Sequence, residues 1–346
     1  MRVVVCGGGA VGGRAARQLA SSTEVESIVV IDRDSAQAAA VAHSLGPVAE
    51  VQPWHPEVLD GTDALLVCAP ISVSSGSLAS GLVTGVGLEV VEGALRAGVA
   101  VVTTGDGRAE VEALLGLAST ARASGVPLVI GAGMAPGLTD VLARQAAGGL
   151  DEIEEIHVAK AGTGGPACAR QHHRALGDEA VDWRDGEWVR RPGGSGRELC
   201  WFPDPVGGRD CYRAGLVDAR LLVPAFPGVR RVTARVAATR RDRLTAALPM
   251  LRQPHPEGEV GAVRVEIRGR RSGARENLIL GAIDRPAVAA GAVAALSVLW
   301  AASGRLASAT AGGLAELLTD SGPFLAELAR RGVKGAVFDG SRTDSL

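Results

Sequence analysis

Lysine is nearly missing from this chain of 346 residues: of 36 basic residues only Lys160 and Lys334 are lysine. Aromatic residues make up 3%, with a single tyrosine, too few for the stacking platforms that hold single-stranded nucleic acid. The formal charge is −2, so no cationic excess exists to neutralise phosphates, and nucleic acid is set aside as a partner. Five cysteines (Cys6, Cys68, Cys168, Cys200 and Cys211) are an odd number without C-x-x-C spacing, which argues against a disulfide framework and a structural metal site. A reducing, cytoplasmic setting is expected, with no metal. The first apolar run, Val3–Cys6, breaks at once into glycines and does not read as a secretion signal. The longest uncharged stretch, PAVAAGAVAALSVLWAASG from Pro286 to Gly304, is alanine-rich and barely of membrane-spanning length. It reads as a helix buried on a sheet, so no membrane association is expected.

Glycine is abundant instead, with 47 residues, about twice the usual share. That usage fits many tight strand-to-helix turns. Nearly continuous apolar runs at Arg2–Cys6, Ser27–Ile31, Ala64–Cys68, Ala100–Thr103 and Val126–Ile130 alternate with helical patterns such as Val11–Leu19 and Ser35–Leu45. Runs of this kind suit parallel strands buried on both faces, and the order implies βαβ crossovers. The expected fold class is therefore α/β, a doubly wound parallel sheet. Ile71–Gly87, rich in glycine and serine, reads as a loop. After Gly149 the pattern changes. Ile153–Ala161, Val229–Thr239 and Gly261–Arg268 are strand-like, Asp185-Gly186 marks a hairpin within Val181–Val189, and Val263, Val265 and Ile267 alternate with Arg264, Glu266 and Arg268. This part reads as an inserted α+β domain with a mixed or antiparallel sheet. Pro286–Ser303 and Leu314–Arg330 read as helices. The expected division is residues 1–132, 133–284 for the insert, and 285–346 for helices returning to the first domain.

The chemistry is clearest at Gly7-Gly8-Gly9-Ala10-Val11-Gly12, a G-x-G-x-x-G between a strand and a helix. Gly7 permits the turn, Gly9 lets backbone approach a pyrophosphate, and Gly12 lets helix and strand pack closely. The N–H groups of Ala10 and Val11 lie at the helix start, where a phosphate binds. Asp32 ends the second strand at the spacing where a carboxylate meets the adenosine ribose. These features predict a dinucleotide cofactor, with NAD favoured by Asp32. NADP stays open, because Arg33 can reach a 2′-phosphate. A second glycine corner, Gly131–Asp140 (GAGMAPGLTD), follows the fifth strand.

The segments GGGAVGGRAARQLA, Asp32-Arg33, GVAVVTTGD and GAGMAPGLTDVLARQ together resemble the saccharopine dehydrogenase/reductase-like superfamily. The likeness runs in order through most of the chain and takes in the Trp188 hairpin, Leu222–Val229 and the alanine-rich helix near Trp300. It implies an NAD(P)-dependent Rossmann domain, an inserted substrate domain whose sheet forms a homodimer, and last helices that pack back on the Rossmann sheet. It also implies C–N bond chemistry beside a carboxylate, through an imine and hydride transfer. Two departures argue against saccharopine itself: Val102-Thr103 stand where an aspartate is common, and the glycine–cysteine signature is not evident.

Cys68-Ala69-Pro70, Thr104-Gly105-Asp106 and Gly133–Gly137 are expected to converge at the carboxyl ends of the strands, with Cys68, Ala69, Pro70, Thr104 and Gly133 against the cofactor. Asp106 is a candidate proton carrier or else a helix cap. Lys160, at a strand end, is a candidate catalytic lysine or a surface residue. Adjacent His172 and His173 point to different faces, which excludes a metal pair, and His173 is the candidate acid. Arg174, Arg213 and Tyr212 are candidates for the substrate, with Arg209 flanking the same segment. The expected activity is NAD(P)-dependent hydride transfer to or from an imine or amine carbon of a small amino-acid-like substrate. The alternatives are alcohol, semialdehyde or enoyl oxidoreduction on the same scaffold, or a dinucleotide-binding regulator without catalysis.

Overall fold

The computed structural model describes residues 1–72, 86–250, 254–255, 258–307 and 309–338. In chain order the elements begin β1 (Arg2–Cys6), α1 (Ala10–Ala20), β2 (Ser27–Ile31), α2 (Ser35–Leu45), β3 (Ala49–Val51), β4 (Ala64–Val67), β5 (Ile71–Ser72), β6 (Val86–Gly87), α3 (Leu88–Arg96), β7 (Ala100–Thr103), α4 (Arg108–Leu115), α5 (Ala118–Ser124) and β8 (Leu128–Val129). There follow α6 (Leu138–Ala147), β9 (Glu152–Ala161), α7 (Pro166–Ala175), β10 (Ala180–Arg184), β11 (Glu187–Arg191), β12 (Glu198–Trp201), β13 (Gly208–Arg213), α8 (Asp218–Ala225), β14 (Arg231–Ala237), α9 (Arg240–Thr245), β15 (Gly261–Arg271) and β16 (Ala274–Asp284). The chain ends with α10 (Pro286–Ala302), β17 (Ala311–Gly312), α11 (Leu314–Leu317), α12 (Gly322–Arg330) and β18 (Lys334–Phe338). Two compact units result, one of residues 1–133 and 290–319, the other of residues 134–289 and 320–346.

The first unit is a parallel sheet in the order β17-β8-β7-β4-β1-β2-β3. Val3, Val4, Val5, Leu65, Leu66 and Val101 are fully buried, as strands covered on both faces require. The strand order reverses between β1 and β4, and a crevice opens outside the carboxyl ends at such a point. From Ala290 onward α10 belongs to this unit and is buried almost throughout. Its small side chains have a steric cause. A Cβ at Gly291 would stand 2.6 Å from the Cβ of Arg14, so glycine lets α10 lie directly on α1. No helix among the described residues is long and apolar enough to cross a membrane.

The second unit holds a mixed sheet in the order β11-β10-β14-β9-β15-β16-β18, with β13 pairing β14 and β12 pairing β13. β9 and β14 run parallel and the other pairs are antiparallel. The hairpin at Asp185-Gly186 turns with positive φ at both residues (48° and 90°), and Ser272-Gly273 joins β15 to β16 in the same way (50° and 81°). Trp183 and Trp188 meet edge-on with ring centres 4.9 Å apart, and Arg220 lies 4.0 Å over Trp188.

Three expectations are corrected. Not all of residues 285–346 return to the first unit, because residues 320–346 join the second, where Ser321 bonds Gln145 at 2.9 Å. Leu314–Arg330 is not one helix. Ser321-Gly322-Pro323 restarts it, with Pro323 in the first turn of α12, where a proline loses no hydrogen bond. Of the expected loop Ile71–Gly87, residues 73–85 lie outside the described residues, and its two ends pair in parallel as β5 and β6.

Candidate functional site

The glycine turn of the first unit is braced from several sides. Gly7 N–H donates to the Ile31 carbonyl at 2.7 Å, Gly8 N–H to Asp32 Oδ2 at 2.6 Å, and Gln37 Nε2 to the Gly8 carbonyl at 2.7 Å. The other oxygen of Asp32 accepts from Asp34 N–H at 2.9 Å. Asp32 therefore holds the turn against β2, while Arg33 is exposed beside it.

The glycines differ in what they do. A Cβ at Gly12 would overlap the Gly7 carbonyl, and one at Gly7, whose φ is 103°, would stand 2.7 Å from Ala69 N. Both are required by the protein's own packing. At Gly9 a Cβ meets nothing within 4 Å among the described residues, and its φ of −67° suits any residue. The space beside Gly9 is a cradle that the chain leaves open. Gly9 caps α1 without a side-chain hydrogen bond, and the first turn of the helix carries no acidic side chain, so its positive end is available to an anion. The residues present thus fit the pyrophosphate of a dinucleotide.

The neighbouring loops are stepped across the sheet. Cys68 and Ala69 donate to the Cys6 carbonyl at 2.8 and 3.1 Å, Thr104 to Val67 at 3.0 Å, and Ala132 to Thr103 at 2.7 Å. This ladder draws Cys68-Ala69, Thr104 and the Gly131–Gly133 segment to one edge, with Pro70 exposed. Burial pushes the thiols of Cys6 and Cys68 up to about 12, despite the hydrogen bond between Cys68 and Thr104, so neither is a thiolate at neutral pH. Asp106 is half-buried beside Glu110, a residue that the sequence pattern did not single out.

In the second unit Lys160 is 4% exposed, in the middle of the sheet between β14 and β15. Its ammonium donates to the Ala135 carbonyl at 2.9 Å, so it reaches the Met134–Gly137 turn. His173 is held elsewhere: its Nε2 lies 2.9 Å from the Thr245 carbonyl and 3.1 Å from that of Leu248, and it donates to both. Arg174 is exposed. Arg213 is paired with Asp182 at 3.0 Å, and Tyr212 is 1% exposed under Arg243, which stacks 4.4 Å over its ring. Arg213 is thus engaged by an internal acid and Tyr212 is covered by an arginine. The same unit contains a cavity of about 1080 Å³ at the carboxyl ends of parallel β9 and β14, lined among others by Thr163, His172, His173, Arg209 and Arg240. Neighbouring Asp210 and Asp242 are engaged, the first by Arg197 at 2.9 Å and the second by Thr239 at 2.7 Å. Arg209 and Arg240 have no ion-pair partner among the described residues.

Residues 3–83 match the TrkA-N domain. Comparison with curated proteins finds no match. Among solved structures the chain is similar to saccharopine dehydrogenase (L-Glu forming) from Saccharomyces cerevisiae, with 14% identity, 98% of this chain and 100% of that chain covered, and a TM-score of 0.69. It is also similar to amine dehydrogenase from Mycobacterium smegmatis, with 15% identity, 92% and 96% covered, and a TM-score of 0.52. The fold expected from the resemblance is the one found, and the first unit is an NAD(P)-binding Rossmann fold.

Proposed function

We propose that the chain is an NAD(P)-dependent oxidoreductase acting on the C–N bond of a small amino-acid-like substrate. The observation that carries this is the cradle at Gly9, which the protein's own packing leaves open beside an uncapped helix start and Asp32. Gly7, Gly9, Gly12, Asp32 and the Cys68–Pro70 and Thr104 loops would hold the dinucleotide. When bound, it supplies or accepts the hydride. In the second unit Arg209 and Arg240, without an ion-pair partner among the described residues, offer a substrate carboxylate two cations, and the apolar wall of Ala161, Val236 and Ala237 suits a short aliphatic portion. Lys160, buried and within reach of the Met134–Gly137 turn, is the proton-carrying side chain of this reading. Support for C–N chemistry comes from the names of the two similar structures, a saccharopine dehydrogenase and an amine dehydrogenase.

The test follows NADH and NADPH absorbance with 2-oxo acids paired with ammonia or amino acids, beside matched sets of aldehydes and enoyl acids. Turnover confined to pairs that form an imine supports the reading. Turnover with aldehydes or enoyl acids alone overturns it, as does tight cofactor binding with no turnover of any set.

A further inference from the structure

Glu110 lies in the first turn of α4 and would pass in the sequence for a solvated helix position, yet it is only 9% exposed. Its carboxyl occupies the space beside Gly105: any side chain at Gly105 would overlap it. The backbone N–H of Ile71 hydrogen-bonds to it, and Oε1 is buried with no hydrogen-bond partner among the described residues. The charge that acts on Glu110 is Asp106, of the same sign. On β17, which also packs against α4, Gly312 lies against Glu316, whose charged neighbour is Arg122. Among the described residues no cation thus balances Glu110. Burial first, and Asp106 second, push its carboxyl up to about 7.

We propose that Glu110 is a positioning residue: its carboxyl, wedged between Gly105 and Ile71, holds the Thr104–Asp106 loop and the Cys68–Ile71 segment together as two walls of the cofactor site. It does this as the neutral acid. Ionisation places a second negative charge beside Asp106 in a dry pocket, and the favourable response is for the loops to part and admit water. The proposal rests on the cofactor reading given above.

The experiment titrates the full chain with NADH and with NADPH from about pH 6 to about pH 8.5, and records melting curves without cofactor over the wider span from about pH 4. Wild type is expected to lose roughly tenfold in affinity across the titrated range. E110Q, which keeps the shape and cannot ionise, should bind as wild type does at the acid end and vary less than about twofold. E110A should bind more weakly at all pH values. Because the folded-state value lies above the unfolded one, the protonated form's contribution to stability is complete below about 4.5 and is lost as pH rises through about 7. Wild-type melting temperature should show that fall and E110Q should not. An E110Q profile that tracks wild type overturns the proposal, and so does E110Q binding as weakly as E110A at acid pH. Binding of neither cofactor at any pH overturns the cofactor reading instead, and the melting curves then decide Glu110 alone. If E110A fails to fold, the pair of wild type and E110Q still gives the answer.

Discussion

In the first unit the candidate ligand groups are backbone N–H groups and bare Cα atoms, fixed by hydrogen bonds between the ends of adjacent parallel strands. In the second the candidate groups are side chains: Arg209, Arg240 and the histidines line one cavity, and Lys160 reaches the Ala135 carbonyl. A backbone site constrains a few glycines and leaves other positions free. A side-chain site changes with each substitution, and so it can select the substrate. The units differ in their acids too. Glu110 is buried with no cation beside it among the described residues. Burial works to raise Glu266 on β15, but Arg264 and Arg268, each 2.7 Å away, outweigh it and hold Glu266 below the usual range.

Four measurements sharpen or break that contrast. The largest effect is expected from Lys160→Met in the second unit: turnover should fall roughly 10²–10⁴-fold while the dissociation constant for NADH stays within about twofold. Equal losses in both would erase the division of labour. Next, Gly9→Val should weaken the dinucleotide by roughly 100-fold or more with an unchanged melting temperature, because the new side chain meets only the ligand. Gly12→Val, which strikes the Gly7 carbonyl, should lower the melting temperature as well. Identical behaviour of the two variants would contradict the distinction between a cradle and a packing glycine. Third, Asp32→Ala should shift the NADP over NAD preference in kcat/KM by about tenfold, since a repulsive carboxylate goes and Arg33 stays. Because Asp32 also secures Gly8, affinity for both cofactors should drop, and a change in preference without that drop would refute its bracing role. The smallest effect is expected from Glu266→Gln, which should cost about 1–3 kcal/mol and speed hydrogen exchange in β15. The pH responses have opposite signs. The depressed Glu266 contributes stability above about 4.5 that is lost as pH falls, whereas Glu110 contributes stability that is lost as pH rises through about 7. Exchange rates read unit by unit at acid and mildly alkaline pH should show the second unit loosening first at one end and the first unit at the other.

The glycine turn and its parallel strands were legible because each depends on local spacing: the conformation of Gly7 and the closeness of Gly12 need nothing from distant residues. The Asp185-Gly186 hairpin was legible for the same reason. β12, β13, β16 and β18 were not read, because their burial depends on neighbours in the sheet. β16 is mostly half-exposed and shows no alternation to detect. Glu110 was invisible because Ile71, nearly forty positions earlier, supplies its ceiling. Arg213 and Tyr212 looked available only because Asp182 and Arg243, which occupy them, lie on other elements. Lys160 drew notice through rarity alone, and its contact with Ala135 required the fold.

That rarity makes the chain its own reporter. Lys334 is exposed and Lys160 is buried, so the only side-chain amine open to rapid acylation is remote in sequence from the candidate site. Reductive methylation with isotopically labelled formaldehyde would give a carbon spectrum of three amines: the amino terminus, Lys334 and, more slowly, Lys160. The rate at which the third signal grows measures how often the sheet opens around Lys160. Its movement with pH reads the ammonium's own titration without a substrate in hand.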